Sequence, residues 1–205
     1  HVFDVLLTEN DGDTAAYISE LMVKLGDLDF FQNQFVIQEL KLENATINLF
    51  KEKGEQKYNF QLLFKKNQNE NDITSNYNVL IENMELINCI FNHRIFGNKK
   101  NIQTYDYQYF KLFNLNGLLN QISISNKGIF SPSNKLSFLL DKAIDVKDLT
   151  CEFNLDYNDI SIENIELKTQ KSHLNLTSFT YDLKSNDSSD ICLLYTSPSP
   201  RDRSI

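Results

Sequence analysis

Residues 36–49 read Val36-Ile-Gln-Glu-Leu-Lys-Leu-Glu-Asn-Ala-Thr-Ile-Asn-Leu49, and the way this run is folded decides the rest. Its second half alternates. Ala45, Ile47 and Leu49 are apolar and Thr46 and Asn48 polar, the period-two signature of a half-buried strand. Its first half breaks the rule, because Ile37, Leu40 and Leu42 stand at i, i+3 and i+5, and in a regular strand i and i+3 face opposite ways. A bulge at the polar pair Gln38-Glu39 would add one residue and return all three to one face. The same hexad recurs as Ile81-Glu-Asn-Met84-Glu-Leu86 and as Ile162-Glu-Asn-Ile165-Glu-Leu167, spaced 44 and then 81 residues apart. Three copies of one irregularity predict a repeated unit in a quasi-one-dimensional sheet. A β chain rich in Asn and Glu also produces such hexads by chance.

Outward from this run the alternation continues through Leu21, Val23 and Leu25, then Ile122 and Ile124, then Leu136, Phe138 and Leu140. Cys151, Phe153 and Leu155, then Leu174 and Leu176, close the series. Turn signals fall between these runs at Asn10-Asp11-Gly12-Asp13, Lys53-Gly54-Glu55, Gly97-Asn98, Asn126-Lys127-Gly128 and Tyr157-Asn158-Asp159. Together they predict an all-β chain of about a dozen strands with short connections, a meander and not a set of βαβ units. Leu28-Asp29-Phe30-Phe31 and Asn59 to Lys66 have the apolar density of short helices, and Asn67 to Asn78 is polar and acidic, a loop composition.

Composition supports the same class. Apolar residues make up 41%, with 15 Phe and 9 Tyr against 6 Gly and 3 Pro, enough to bury a core and suited to pleated surfaces. A net charge of −8 argues against nucleic acid, which needs a basic stripe. No run of about 18 apolar residues is present to span a membrane as a helix.

Residues that would carry chemistry are few. His1, His93 and His173 stand at no metal-ligand spacing from one another or from a Cys. His93-Arg94 is expected to follow a strand and cap a turn, and His173 to face solvent. Cys89, Cys151 and Cys192 are odd in number, give no disulfide framework, and read as buried or free thiols. The glycines are isolated, so no phosphate loop and no nucleophile elbow is present. Asp11 and Asp13 flank Gly12 and would suit calcium or, more plainly, a Gly-Asp turn. Asp141 with Asp145 and Asp156 with Asp159 read as solvated acidic turns, and the sequons at Asn44, Asn175 and Asn186 are expected by chance in so Asn-rich a chain. No catalytic, cofactor-binding or metal residue is assigned, and the reading is of a protein that is not an enzyme.

Gly12-Asp-Thr14 leading into Tyr17-Ile-Ser-Glu-Leu-Met-Val-Lys-Leu25, then residues 36–49, then Tyr58-Asn-Phe-Gln-Leu62, resembles the N-terminal half of TamB-like proteins of the AsmA/TamB superfamily. Val146-Lys-Asp-Leu-Thr-Cys-Glu-Phe153 and Ile160-Ser-Ile-Glu-Asn-Ile-Glu-Leu-Lys-Thr169 resemble that family's repeated strand pairs. The likeness covers nearly all of residues 2–183 and rests on the order of strand patterns. It implies an elongated, curved antiparallel sheet forming a taco-like β-groove, with one or two short helices. It also implies a periplasmic location, with an inner-membrane helix missing from this stretch and a C-terminal domain facing the outer membrane. His1 opens the chain without Met or signal peptide, in line with that expectation. The implied role is lipid transport between the two membranes or outer-membrane biogenesis, as the inner-membrane component of a translocation and assembly module. The implied partners are phospholipid acyl chains and an outer-membrane assembly protein of the BamA/TamA type, with no cofactor. The expected groove lining is Leu21, Val23, Leu25, Ile37, Leu40, Leu42, Ala45, Ile47, Leu49, Ile81, Met84, Leu86, Ile162, Ile165 and Leu167. The same alternation would serve the closed core of a sandwich, and a secreted β-rich adhesion or binding module is the rival reading.

The last residues differ in kind. Cys192 to Asp202 is similar to a translated sequencing-library adapter and holds two of the 3 prolines. Residues 192–205 are therefore expected to be non-natural, and residues 1–191 to be a fragment of the long β-groove region.

Overall fold

The computed structural model describes residues 1–8, 12–29, 34–51, 58–59, 78–95, 109–125, 127–156 and 159–182. These form nine strands: β1 (Val2–Thr8), β2 (Thr14–Asp29), β3 (Gln34–Lys51), β4 (Asn78–Ile95), β5 (Tyr109–Ser125), β6 (Gly128–Leu140), β7 (Ile144–Asp156), β8 (Asp159–Thr169) and β9 (His173–Asp182). They make one open sheet in chain order, β1 to β9, so the all-β expectation holds. Three details are corrected. Strands are fewer and longer than the dozen expected, because most breaks in alternation are bulges inside one strand and not turns. The sheet is mixed, since β3 and β4 run parallel while every other pair is antiparallel. No helix stands among the described residues. Leu28 and Asp29 end β2, whereas Phe30, Phe31 and residues 60–66 lie outside the described set, as do residues 192–205.

The parallel pair has a cause in the sequence. Every Cα partner in β3–β4 is offset by 44, from Gln34↔Asn78 to Lys51↔Ile95, so the first two hexads lie side by side in register. Identical residues then stack: Ile37 on Ile81, Leu42 on Leu86, with Asn44 and Asn48 beside Asn88 and Asn92. Asn88 Nδ2 donates to Asn44 Oδ1 at 2.7 Å, and Asn92 Nδ2 to Asn48 Oδ1 at 2.7 Å. Such amide ladders need like residues at like height, which only an in-register parallel pair provides. A parallel pair also needs a long crossover, and residues 52–77 join the end of β3 to the start of β4.

Two lines of irregular backbone cross the sheet. The first runs through Asp4 (φ 54°), Asn44 (51°), Asn88 (50°) and Asn114 (49°), all in left-handed backbone. The second runs through Gln38, Glu82, Gln121 (φ 55°), Pro132 and Asn164 (φ 51°). On β3 and β4 the lines are six residues apart (38 to 44, 82 to 88), about 20 Å at strand rise. Bulges bend a strand and increase its twist, so bulges aligned across neighbours crease the whole sheet.

The second line is where the hexads sit. Leu21, Val23 and Leu25 alternate regularly on β2 and oppose Leu42, Leu40 and Ile37, with Gln38 as the extra residue. Directly opposed residues share a face, so the hexad's three apolar residues do too. In the third copy Phe153 and Leu149 oppose Ile162 and Leu167, with Asn164 extra. In β4 the line passes through Glu82 without a register shift.

These devices curl the sheet toward its apolar face. Tyr58, bridged to Lys51 at one end of β3, packs in one cluster with Leu155 at the opposite end of β7, together with Leu49, Ile129, Phe153 and Ile160. Four strand spacings of about 4.8 Å would hold β3 and β7 about 19 Å apart in a flat sheet. A twist of about 20–25° per strand turns β7 roughly perpendicular to β3, and bending then brings diagonal corners together. The apolar face is the inner one.

Candidate apolar binding face

The larger part of the inner face is a cluster of Ile18, Leu42, Ala45, Leu86, Cys89 and Leu115, with Val5, Leu21, Leu40, Ile47, Met84, Phe91, Leu119, Leu136 and Phe138 packed against it. It spans β1 to β6. Of the fifteen residues expected to line a groove, seven meet here: Leu21, Leu40, Leu42, Ala45, Ile47, Met84 and Leu86. Leu49 belongs to the Tyr58–Leu155 cluster. Ile81 and Ile165 are buried in place, and Ile37, Ile162 and Leu167 are half-buried.

Val23 and Leu25 differ. They are 38% and 63% exposed, beside Phe35 at 41%. Val23 opposes Leu40 and Leu25 opposes Ile37, and Phe35 alternates with Ile37, so the three form an accessible apolar strip on the inner face. Each buried methylene is stabilised by about 0.8 kcal/mol, which makes the strip the place where an apolar ligand would gain most.

At the opposite end of β3 and β4 the face carries a polar aromatic group that sequence reasoning misplaced. His93 lies inside β4, not after it, opposed by Leu49 on β3 and Phe110 on β5. It is 8% exposed, stacks on Phe110 with centroids 4.9 Å apart, and shares a hydrogen bond of 3.1 Å between its Nε2 and the Tyr58 hydroxyl. No local signal marks it, because Tyr58 reaches it from the crossover and its partners come from three segments.

Ser131 and Asn134 are the other buried polar residues of this face, again unexpected from sequence. Ser131 Oγ donates to Asn134 Oδ1 at 2.6 Å, and Asn134 Nδ2 donates to the carbonyls of Ser131 and Cys151, both at 3.1 Å. The bulge at Pro132 interrupts the ladder there, and these side chains satisfy groups that would otherwise be buried unpaired. Their spacing, 131, 134 and then Leu136, repeats the hexad's i, i+3, i+5.

The thiols have a structural setting. Cys89 is fully buried, its Sγ donating to the Leu42 and Ile87 carbonyls, and burial pushes its thiol up; Cys151 is half-buried and shifted the same way. A thiolate is disfavoured at both. Elsewhere, the acidic turn at Asp156–Asp159 is an internal cap, the Asp159 amide donating to Asp156 Oδ1 at 2.9 Å. His173 is exposed and contacts Glu166 at 3.0 Å; Lys168 and then His173 hold the Glu166 carboxyl below its ordinary value. Asp11 lies outside the described residues, and Asp13 is exposed in the β1–β2 connection. Among the described residues no three His, Cys, Asp or Glu side chains converge as a metal site would require.

The structure defines a class: a single creased β-sheet, curled toward an apolar face that one corner closes and another leaves accessible. Compared with protein-family models, curated proteins and solved structures, the chain matches none.

Proposed function

We propose that this chain is a non-enzymatic conduit or scaffold whose inner face shelters acyl chains. The setting proposed is the one implied by its TamB-like resemblance: the bacterial envelope, carrying phospholipid between membranes or aiding outer-membrane protein assembly. The observation that supports it is the strip of Val23, Leu25 and Phe35, exposed on a face that is otherwise packed. A sandwich core would have covered it with a second sheet, and among the described residues strands contact chiefly their sheet neighbours.

A fluorescent long-chain fatty acid, displaced by phosphatidylglycerol, tests the reading. The full chain should bind it, and Leu25→Asp should weaken binding about 10- to 100-fold, the equivalent of the roughly 1.5–3 kcal/mol that a buried Leu contributes, with unchanged circular dichroism. Leu118→Asp, on the outer face and 51% exposed, should leave binding intact. Absent binding, or equal loss in both variants, would sink the acyl-chain reading. The rival, a secreted adhesion module, has one observation in its favour, the outer-face exposure of Phe3, Tyr17 and Phe130.

A further inference from the structure

β1 pairs with β2 on one side, and among the described residues nothing pairs with its other side. Its sequence, Val2-Phe-Asp-Val-Leu-Leu-Thr8, lacks the Lys and Pro that blunt sheet edges. Val2 (52%), Phe3 (63%), Leu6 (57%) and Leu7 (51%) are exposed, so the strand offers apolar side chains on both faces. Val2, Val5 and Leu7 oppose Leu21, Ile18 and Ala16 and so face inward; Phe3 and Leu6 oppose Glu20 and Tyr17 and face outward.

We infer that β1 is a self-recognition edge, pairing antiparallel with β1 of a second copy of this chain about a two-fold axis perpendicular to the sheet. Such an axis leaves faces unchanged, so inward residues must oppose inward ones. In a regular strand this allows only residue numbers of even sum to pair. The left-handed residue Asp4 (φ 54°) shifts the parity. With a sum of nine, Val2 opposes the partner's Leu7 on the inner face and Phe3 opposes the partner's Leu6 on the outer. Each pair occurs twice by symmetry, so all four exposed apolar side chains find apolar partners. A strand from an unrelated protein would have to carry the same break between its third and fourth positions. Asp4 is the one charged residue, and each copy's Asp4 already accepts a 2.6 Å hydrogen bond from its own Tyr17 hydroxyl. The two carboxylates lie diagonally across the axis and weaken the pairing without blocking it. One seven-residue strand buries less than the ~800 Å² per partner of a standard interface, so the dimer is a reversible one. The two inner faces become continuous across it.

Sedimentation velocity on the full chain over a concentration series tests this. The expected result is a monomer–dimer equilibrium reaching about 48 kDa, twice the 23.9 kDa chain. Leu6→Lys, at an exposed outward position, should shift the midpoint at least tenfold toward monomer with unchanged circular dichroism and Tm. Asp4→Asn should shift it several-fold toward dimer, since Asn holds the same left-handed backbone at four other positions here, Asn44, Asn88, Asn114 and Asn164. The inference is overturned by a chain monomeric at several hundred micromolar or by association indifferent to Leu6→Lys. Open-ended oligomers, which would mean β1 pairing with another edge, overturn it too.

Discussion

Asn44, Asn88, Asn114 and Asn164 hold left-handed backbone within strands, where a β-branched residue would be costly. Asn tolerates that region because its short amide bonds locally. Here the amides also bond across the sheet: the Asn88 amide nitrogen donates to Asn116 Oδ1 at 2.8 Å, and Asn116 Nδ2 to the Asn114 carbonyl at 2.7 Å. The abundant Asn of the sequence, which suggested turns between strands, therefore supplies creases within them as well. Asn88→Gly keeps the φ and loses the hydrogen bonds, and should cost about 1 kcal/mol. Asn88→Val loses both, and should cost about 2–3 kcal/mol, since left-handed backbone alone costs an L-residue about 1–2 kcal/mol. Urea denaturation of the two variants gives the order; a Val variant as stable as the Gly variant would mean that the crease relaxes freely.

At the scale of elements, the closest approach in the sheet is between β5 and β6. Gly117 opposes Leu86 on β4 and Leu136 on β6, and a Cβ there would run into the Leu136 side chain and come 2.7 Å from the Lys135 carbonyl oxygen. Its neighbours thus occupy the space its side chain would take. Gly117→Ala should destabilise by about 1–3 kcal/mol, the usual cost of overpacking. Gly26→Ala, whose nearest neighbours at 3.1 Å are the Cγ of Gln38 and Cγ1 of Val36, should cost less. Thermal melts compare them directly. The β6–β7 hairpin shows what local reading missed: Asp141 and Lys142 are both left-handed, and the Ala143 amide donates to the Leu140 carbonyl at 2.9 Å. This is a type I′ turn, the geometry that matches strand twist, made without the Asn-Gly or Asp-Gly that would have announced it.

For the whole molecule, the contact that matters is Tyr58 against Leu155, because it ties one corner of the sheet to the diagonal one. Leu155→Ala should cost about 2–5 kcal/mol. Tyr58→Ala should cost a similar amount, since it also removes the hydroxyl partner of His93. If the corners touch as described, the two losses are not additive, and a double-mutant cycle should return a coupling of about 0.5–3 kcal/mol. Additive losses would place the two residues in separate neighbourhoods and return the sheet to an uncurled form.

The hexads at Ile37, Ile81 and Ile162 carried in their spacing both the bulge and its position, because a one-residue insertion is the only local way to put i, i+3 and i+5 on one face. The 44-residue interval and the paired asparagines likewise held the register of β3 on β4. Their parallel direction did not show in the pattern, because alternation has the same period whichever way a strand runs. The crossover that sets direction is a matter of topology, decided when the Asn ladders and the apolar rows come into line together. Alternation also located the apolar positions but not their fate. Val23 and Leu25 read no differently from Leu21, and only the curl of the sheet leaves them exposed while Leu21 is packed. His93, Ser131 and Asn134 became interior for the same reason, since burial of a strand residue depends on which distant segment arrives over its face. Local sequence determined periodicity and bulges through steric rules between neighbouring residues. The closed corner and the open strip came from contacts between strands far apart in the chain, which no window of sequence contains.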